Sequence, residues 1–217
     1  MDAKQLRQSV LDQLEFEPSV DAANIGVTVD DGVVTLTGHV SSYVEKLAAE
    51  RAVRQVKGVR AIAQEIEVRY PSDKKTADDE IAKRALSVLK WHATIPQDAV
   101  KVTVQRGWIT LAGEADWQYQ RRIAEDAVRK LSGVTGVINN ISLKPTVSVS
   151  DIEKKIEGAL ARHAHIEAEA IRINVQDGNK VLIEGKVDSW DEREAVEDAI
   201  WSVAGVQSID DRLTIAR

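Results

Sequence analysis

A spaced set of glycines recurs three times along this chain and constrains its fold more than any other feature. In each set the second and third glycines are 20 residues apart, and the third glycine recurs after 75 and then 72 residues. A period of this length, with strand and helix patterns in every copy, predicts an array of small complete domains rather than a thin solenoid. The three sets are Gly32, Gly38 and Gly58, then Gly107, Gly113 and Gly133, then Gly178, Gly185 and Gly205.

Each copy begins with an amphipathic helix and continues with a hairpin, a second helix and a third strand. In the first copy Leu6, Val10 and Leu14 share one helical face, and Val34 and Leu36 point inward from the second strand. The crossover from the second strand to the third should be right-handed, which makes these two strands parallel. The predicted class is therefore α+β, with three tandem αββαβ modules, each a three-stranded mixed sheet covered on one face by two helices.

The modules are predicted to span residues 1–70, 77–144 and 150–217, with polar, Pro-containing linkers between them. The third hairpin has one extra residue between Gly178 and Gly185, which predicts a different turn or a bulge. Each second helix should begin after a capping side chain and bury an apolar stripe. The predicted caps are Ser41, Asp116 and Asp188, and the predicted stripe of the first copy is Val44, Ala48, Ala52, Val53 and Val56.

Composition excludes several kinds of site and segment. The chain has no cysteine, which excludes disulfides, thiolate metal sites and cysteine nucleophiles. It has no run of about 18 apolar residues, so no transmembrane helix is expected. The charged N-terminus lacks the apolar core of a secretory signal. A start at Met1 therefore favours a cytoplasmic location. The alternative is a periplasmic location, if a leader has been removed.

The net charge of −6 is unevenly distributed. Residues 1–71 carry 8 basic and 11 acidic groups (−3), residues 72–145 carry 12 and 9 (+3), and residues 146–217 carry 9 and 15 (−6). Opposite charges would favour contact between the second and third repeats, or head-to-tail self-association of chains. Neutral drift of solvated faces accounts for the same pattern.

With strands, helices and glycines assigned, each repeat resembles a BON domain, a module of bacterial transport-associated proteins. The resemblance covers nearly the whole chain, three times over. It implies a protein without catalytic residues or a cofactor that contacts phospholipid or envelope surfaces in osmotic or other stress adaptation. The matched positions are structural, so no ligand site is carried over. In the first copy they are Gly32, Val34, Leu36, Gly38, Val40, Ala48, Ala52, Gly58 and Val59.

Few residues suggest chemistry. His163 and His165, near Glu167 and Glu169, form the one candidate metal cluster, although a solvated loop is the ordinary interpretation of such a pair. No nucleophile motif or phosphate-binding loop is present, so we predict that the protein is not an enzyme. A modest basic and aromatic cluster is outweighed by acidic neighbours and a pI near 5.3, so no nucleic acid partner is expected. That cluster is Arg121, Arg122, Arg129 and Lys130 beside Trp117 and Tyr119.

The tryptophans are the most informative side chains that differ between copies. Trp201 replaces an arginine of the earlier copies and should point outward, whereas Trp91, at the end of a first helix, should be partly buried. Trp108 should lie on the sheet face away from the helices, and Trp117 and Trp190 at the starts of second helices. Amphipathic aromatics on polar faces suggest a lipid or protein contact, and packing between repeats is the alternative.

We therefore predict a non-catalytic binding array that contacts a phospholipid surface peripherally, or a protein partner, through Trp201, Trp190, Trp117 and Trp108. The alternative is a structural or self-assembling scaffold with no lipid ligand.

Overall fold

The computed structural model describes residues 2–71, 76–95, 99–144, 152–162, 170–176 and 179–215. The first repeat contains α1 (Ala3–Phe16), β1 (Ile25–Asp30), β2 (Val33–Val40), α2 (Tyr43–Arg54) and β3 (Ala61–Val68). The second contains α3 (Asp78–Trp91), β4 (Val100–Gln105), β5 (Trp108–Ala115), α4 (Gln118–Val128) and β6 (Gly136–Leu143). The third contains α5 (Ile152–Leu160), β7 (Ile171–Gln176), β8 (Lys180–Val187), α6 (Trp190–Trp201) and β9 (Ser208–Ile215).

Each repeat has its own three-stranded mixed sheet. The strand orders are β1-β2-β3, β4-β5-β6 and β7-β8-β9. The hairpin strands pair antiparallel, and β2 pairs parallel with β3, as β8 does with β9. Side chains of α1, α2 and the inward face of the first sheet form one buried cluster, and the third repeat has an equivalent cluster. The predicted fold class is confirmed.

The second glycine of each set is required by a close approach of two backbones. A Cβ atom at Gly113 would lie 1.9 Å from the carbonyl oxygen of Ala99, and one at Gly38 would lie 2.0 Å from that of Asn24. Gly113 also has a φ of +142°, which a residue with a side chain rarely adopts. These glycines therefore determine how each hairpin packs.

The third hairpin differs from the other two in its turn and not in its ladder. In the first hairpin Asp31 and Gly32 both have positive φ, as a type I′ turn requires. In the third, β7 and β8 pair without interruption, and three residues connect Gln176 to Lys180. Asn179 has a φ of 56°, and its carbonyl oxygen accepts a hydrogen bond from Gln207 N–H. The equivalent bond in the first repeat runs from Arg60 N–H to the carbonyl oxygen of Gly32. The prediction of a different turn is confirmed, and Gly178 lies outside the described residues.

The caps of the second helices lie one residue later than predicted. Ser42 Oγ accepts from Glu45 N–H at 3.2 Å, and Ser189 Oγ accepts from Glu192 N–H at 3.1 Å. The predictions of Ser41 and Asp188 were therefore wrong, because the cap must immediately precede the first helical residue.

Two further details of the second helices also differ from prediction. Asp116 was wrong as a cap, since its carboxylate pairs with Lys144 at 3.1 Å and α4 begins two residues later, at Gln118. In the first copy Ala49 is buried where Ala48 was predicted, and Val44 is exposed. The stripe therefore rotates slightly about the helix axis.

The chain divides into two compact units: Met1–Gly113 with Arg121–Ile141, and Glu114–Gln120 with Ser142–Arg217. Within the first unit, Tyr70 Oη donates a 2.7 Å hydrogen bond to the carbonyl oxygen of Val134. Burial raises the pKa of both Tyr43 and Tyr70, and a main-chain hydrogen bond at Val137 partly offsets that rise for Tyr43. Two tyrosines of the first repeat thus contact the main chain of the second repeat, one before β6 and one within it.

Candidate functional site

Large exposed apolar side chains are concentrated in the second repeat. Among the described residues of the third repeat none is of this kind, and the first repeat contributes Phe16, Val33 and Val44. The second repeat is also the one whose sequence carries a net positive charge. Among its described residues the large exposed apolar side chains are Leu86, Trp91, Trp108, Trp117, Tyr119 and Ile138.

Trp91 is the most exposed of these side chains, at 85%. The prediction that it is partly buried was wrong. The buried face of α3 is formed by Ile81, Ala85 and Leu89, and Trp91 lies about 120° around the helix axis from Ala85, the middle of that face. This periodicity was available in the sequence and indicates an outward side chain. Phe16, at the equivalent position of α1, is 81% exposed.

The outer face of α3 combines apolar and basic groups. Leu86 is 53% exposed and lies one helical turn before the exposed Lys90, which is followed in sequence by the exposed Trp91. We call these three residues the α3 outer face. The equivalent residues of α1 are Leu11, which packs on the first core, then Glu15 and Phe16. In the third repeat they are Glu157, Ala161 and Arg162, so only the second repeat has this combination.

Trp108 lies on the open face of the second sheet, as predicted, and is 48% exposed. Its ring covers Gly136 of the neighbouring strand, since a Cβ atom at Gly136 would lie 2.5 Å from the ring. Thr135 N–H donates to Gly107 O at 2.9 Å, as Arg60 N–H does to Gly32 O in the first repeat. This register places Ile138 one step along the same face, so the two exposed apolar side chains are neighbours.

The remaining sequence candidates lie in different environments. Trp117 is exposed at the start of α4. Trp190 is half-buried, and the guanidinium carbon of Arg193 lies 5.3 Å from its ring centroid, within range of a cation–π contact. Trp201 is half-buried and packs against the third core. The expectation that Trp201 points outward is therefore corrected: an indole gains by folding onto apolar neighbours where an arginine extends into water.

A polar cluster connects each second helix to its edge strand. Lys46 Nζ donates to Ile66 O at 2.7 Å, and Arg193 Nε donates to Asp211 Oδ2 at 2.7 Å. In the third repeat burial, together with a hydrogen bond to Asp211, raises the pKa of Glu197 to about 7. These groups contact one another and stabilise the strand edge. Their structural role is sufficient to account for their positions.

The residues singled out for other chemistry do not form a second site in the described chain. Among the described residues no group of three or more His, Asp or Glu side chains is arranged to hold a metal ion, and His163, His165, Glu167 and Glu169 lie outside them. In the basic cluster, Arg121 donates to Asn139 O at 3.3 Å and Arg129 pairs with Asp126 at 3.0 Å. Those two arginines therefore make contacts within their own repeat.

No helix in the part of the chain that the structure describes has the length and apolar character needed to cross a membrane.

Comparisons with known proteins agree with the repeat pattern. The BON domain family profile matches residues 2–70, 77–145 and 148–217. Osmotically-inducible protein Y of Escherichia coli (strain K12) is 28% identical over 153 residues, which cover 66% of this chain and 74% of that protein.

Two solved structures of CdsD, a structural protein of the type III secretion system of Chlamydia trachomatis, also match. One, of its C-terminal domain, is 13% identical and covers 100% of both chains with a TM-score of 0.27. The other is 14% identical and covers 98% of this chain and 92% of that chain, also with a TM-score of 0.27. At such TM-scores we base no conclusion on either structure. The three family matches, which together cover nearly the whole sequence, show that this chain belongs to the BON domain family and is related to osmotically inducible protein Y.

Proposed function

We propose that the protein is a non-catalytic module array that contacts anionic phospholipid surfaces through its second repeat, in osmotic or other stress adaptation. The observation that carries this proposal is the α3 outer face, where Leu86 and Trp91 are exposed beside Lys90. Indole rings favour the boundary between lipid headgroups and acyl chains, and a nearby lysine is attracted to anionic headgroups. The contact is peripheral, because a short helix would lie along the membrane surface.

The other tryptophans are ranked as lipid contacts by their exposure and by the charge of their repeat. Trp108 and Trp117 are exposed on the same basic repeat and are kept as additional contacts. Trp190 and Trp201 are half-buried in the acidic third repeat, so they rank below α3. This order replaces the sequence-based preference for Trp201.

Co-sedimentation with lipid vesicles tests the proposal. The full chain should bind vesicles that contain phosphatidylglycerol more strongly than vesicles of phosphatidylcholine alone. Trp91→Ala should weaken this binding by about tenfold, because a large apolar group no longer enters the interface. Lys90→Glu, which introduces the residue found at position 15 of the first repeat, should weaken it by tenfold or more, since each lysine near an anionic surface contributes about 1 kcal/mol.

The matched control is Phe16→Ala, which removes an equally exposed aromatic from the acidic first repeat. Its binding should equal that of the wild type. No binding to anionic vesicles at low salt, or equal losses for Phe16→Ala and Trp91→Ala, would contradict the proposal.

The alternative function is a protein-interaction or self-assembling scaffold. The flat, partly apolar sheet face around Trp108 and Ile138 favours it, because such a face suits a protein surface. Light scattering across protein concentrations distinguishes the two functions, since a particle that remains monomeric at every concentration excludes self-assembly.

A further inference from the structure

The third repeat contains a pair of acidic side chains between its second helix and its edge strand. Asp211 of β9 has only 14% of its side chain exposed, and both of its oxygens accept hydrogen bonds. Oδ2 accepts from Arg193 Nε at 2.7 Å, and Oδ1 accepts from Leu213 N–H at 2.7 Å. Glu197, one turn after Arg193 on α6, is half-buried beside this carboxylate. Asp211 therefore fastens its own strand to the helix, next to a second acid.

The other two repeats have an amide at the position of Asp211. In the second repeat Asn139 accepts from Ile141 N–H at 3.2 Å and donates through Nδ2 to Glu125 Oε2 at 3.1 Å. The amide thus satisfies the strand and also offers a proton donor to the helix carboxylate. In the first repeat Gln64 Oε1 accepts from Ile66 N–H at 3.3 Å. An aspartate can reproduce the acceptor of an amide but not its N–H donor.

A hydrogen bond between Glu197 and Asp211 therefore requires one proton for the pair. The charged groups that act on Glu197 are Asp211 of β9 and Arg193 and Asp198 of its own helix. Among the described residues no charge from α5 or β8 is in this set. The guanidinium of Arg193 stabilises one carboxylate, and two ionised carboxylates side by side would repel each other.

We propose that Glu197 and Asp211 form a proton-dependent latch that holds the edge strand β9 against α6 in mildly acidic solution and loosens it as the pH rises. The bond that forms and breaks is an O–H···O hydrogen bond, and solvent supplies and accepts its proton. The first two repeats lack the device, because an amide replaces the second acid. The latch thus makes the third repeat the pH-sensitive part of the array.

The direction of the effect follows from linkage. The pKa of Glu197 is about 7 in the folded chain against an ordinary value of 4.5, so the folded state binds this proton more tightly than the unfolded state does. The stabilisation is complete below the ordinary value and is lost as the pH rises through about 7.

Amide hydrogen exchange on the full chain tests this latch, with protection of the Leu213 amide measured at about pH 5.5 and about pH 8.5 and corrected for the intrinsic exchange rate. In the wild type this protection should fall by about tenfold at the higher pH. Glu197→Gln keeps a permanent donor toward Asp211 and should hold the protection constant. Asp211→Asn, which restores the residue type of the second repeat, should do the same.

The matched control is Glu125→Gln in the second repeat, which should leave the pH dependence at Leu213 unchanged. Equal pH dependence in the wild type and Glu197→Gln would overturn the proposal, as would constant protection in the wild type. Thermal unfolding of the same proteins checks that each variant is folded at both pH values.

Discussion

The open sheet faces of the second and third repeats have the same backbone but very different side chains. Trp108 begins the second strand of one face and Lys180 begins that of the other, at equivalent register positions. Trp108 covers a glycine on the next strand and lies near the exposed Ile138. Lys180 instead pairs with Asp210 at 3.1 Å, and Arg212 contacts both Asp210 and Glu184. The first face presents apolar surface to solvent, and the second presents an ion-pair network.

The comparison shows that fold and surface are specified by different residues. Gly113 and Gly185 have nearly the same φ, and a Cβ atom at either would clash with the carbonyl oxygen of the residue that immediately precedes the neighbouring strand. Inward residues such as Ile109 and Ile183 are equally buried in the two repeats. The function must therefore depend on positions where the copies differ, and the second repeat differs by its exposed apolar and basic residues.

The largest expected effect comes from destabilising either the second or the third repeat by a single substitution. Gly113→Ala places a Cβ atom 1.9 Å from Ala99 O, and Gly185→Ala places one 2.2 Å from Ala170 O. Each should destabilise its own repeat by about 3 kcal/mol or more, because the clash adds to a φ that alanine rarely adopts. Denaturant unfolding measures both losses.

The two variants should then differ in vesicle binding. Gly113→Ala should lose binding to phosphatidylglycerol vesicles, whereas Gly185→Ala should retain it. If Gly185→Ala abolishes binding and Gly113→Ala does not, the contact belongs to the third repeat.

A smaller effect is expected from exchanging the residues at the start of the two sheet faces. Trp108→Lys should destabilise the second repeat by roughly 1–2 kcal/mol, because the ring that covers Gly136 is removed from a strand weakened by glycine. The reciprocal change, Lys180→Trp, should alter stability much less, since exposed ion pairs contribute little. Urea unfolding of the two variants checks this asymmetry, and a neutral Trp108→Lys would show that the ring has no structural role.

The smallest expected effect transfers the acidic pair to the second repeat. Asn139→Asp places a second carboxylate beside Glu125, as Asp211 lies beside Glu197 in the third repeat. The variant should be less stable above neutral pH than below it by about 1 kcal/mol, since partial exposure screens the repulsion. Thermal unfolding against pH measures the difference, and an unchanged pH profile would mean that the third repeat depends on more than its two acids.

Sequence alone predicted the parts of the fold that repeat. The glycines, the inward residues of the middle strands and the right-handed crossover recur at fixed spacing, and each has a direct steric or packing cause. The position of the extra residue in the third hairpin was harder to predict, because Asn179 takes the left-handed position that glycine has in the other two hairpins. The extra residue is therefore one position away from where an alignment of the glycines places it.

The environments of single aromatic residues were predicted less well. Trp91 was expected to be partly buried because it ends a first helix, although the periodicity of α3 places it outward. Trp201 was wrongly expected to point outward, because the equivalent residues of the earlier copies are arginines. An indole at the border of the apolar stripe can instead turn onto the core. The contact of Tyr70 with Val134 spans 64 residues and depends on the packing of one repeat against another. No local pattern encodes such a contact.

The most direct test of the central claim is a hydrogen-exchange footprint of the full chain on phosphatidylglycerol vesicles. We expect added protection in the C-terminal half of α3, around Leu86, Lys90 and Trp91, and no added protection in α5 of the third repeat. Added protection of α5 in place of α3, or bound protein without any change in α3, would contradict the claim.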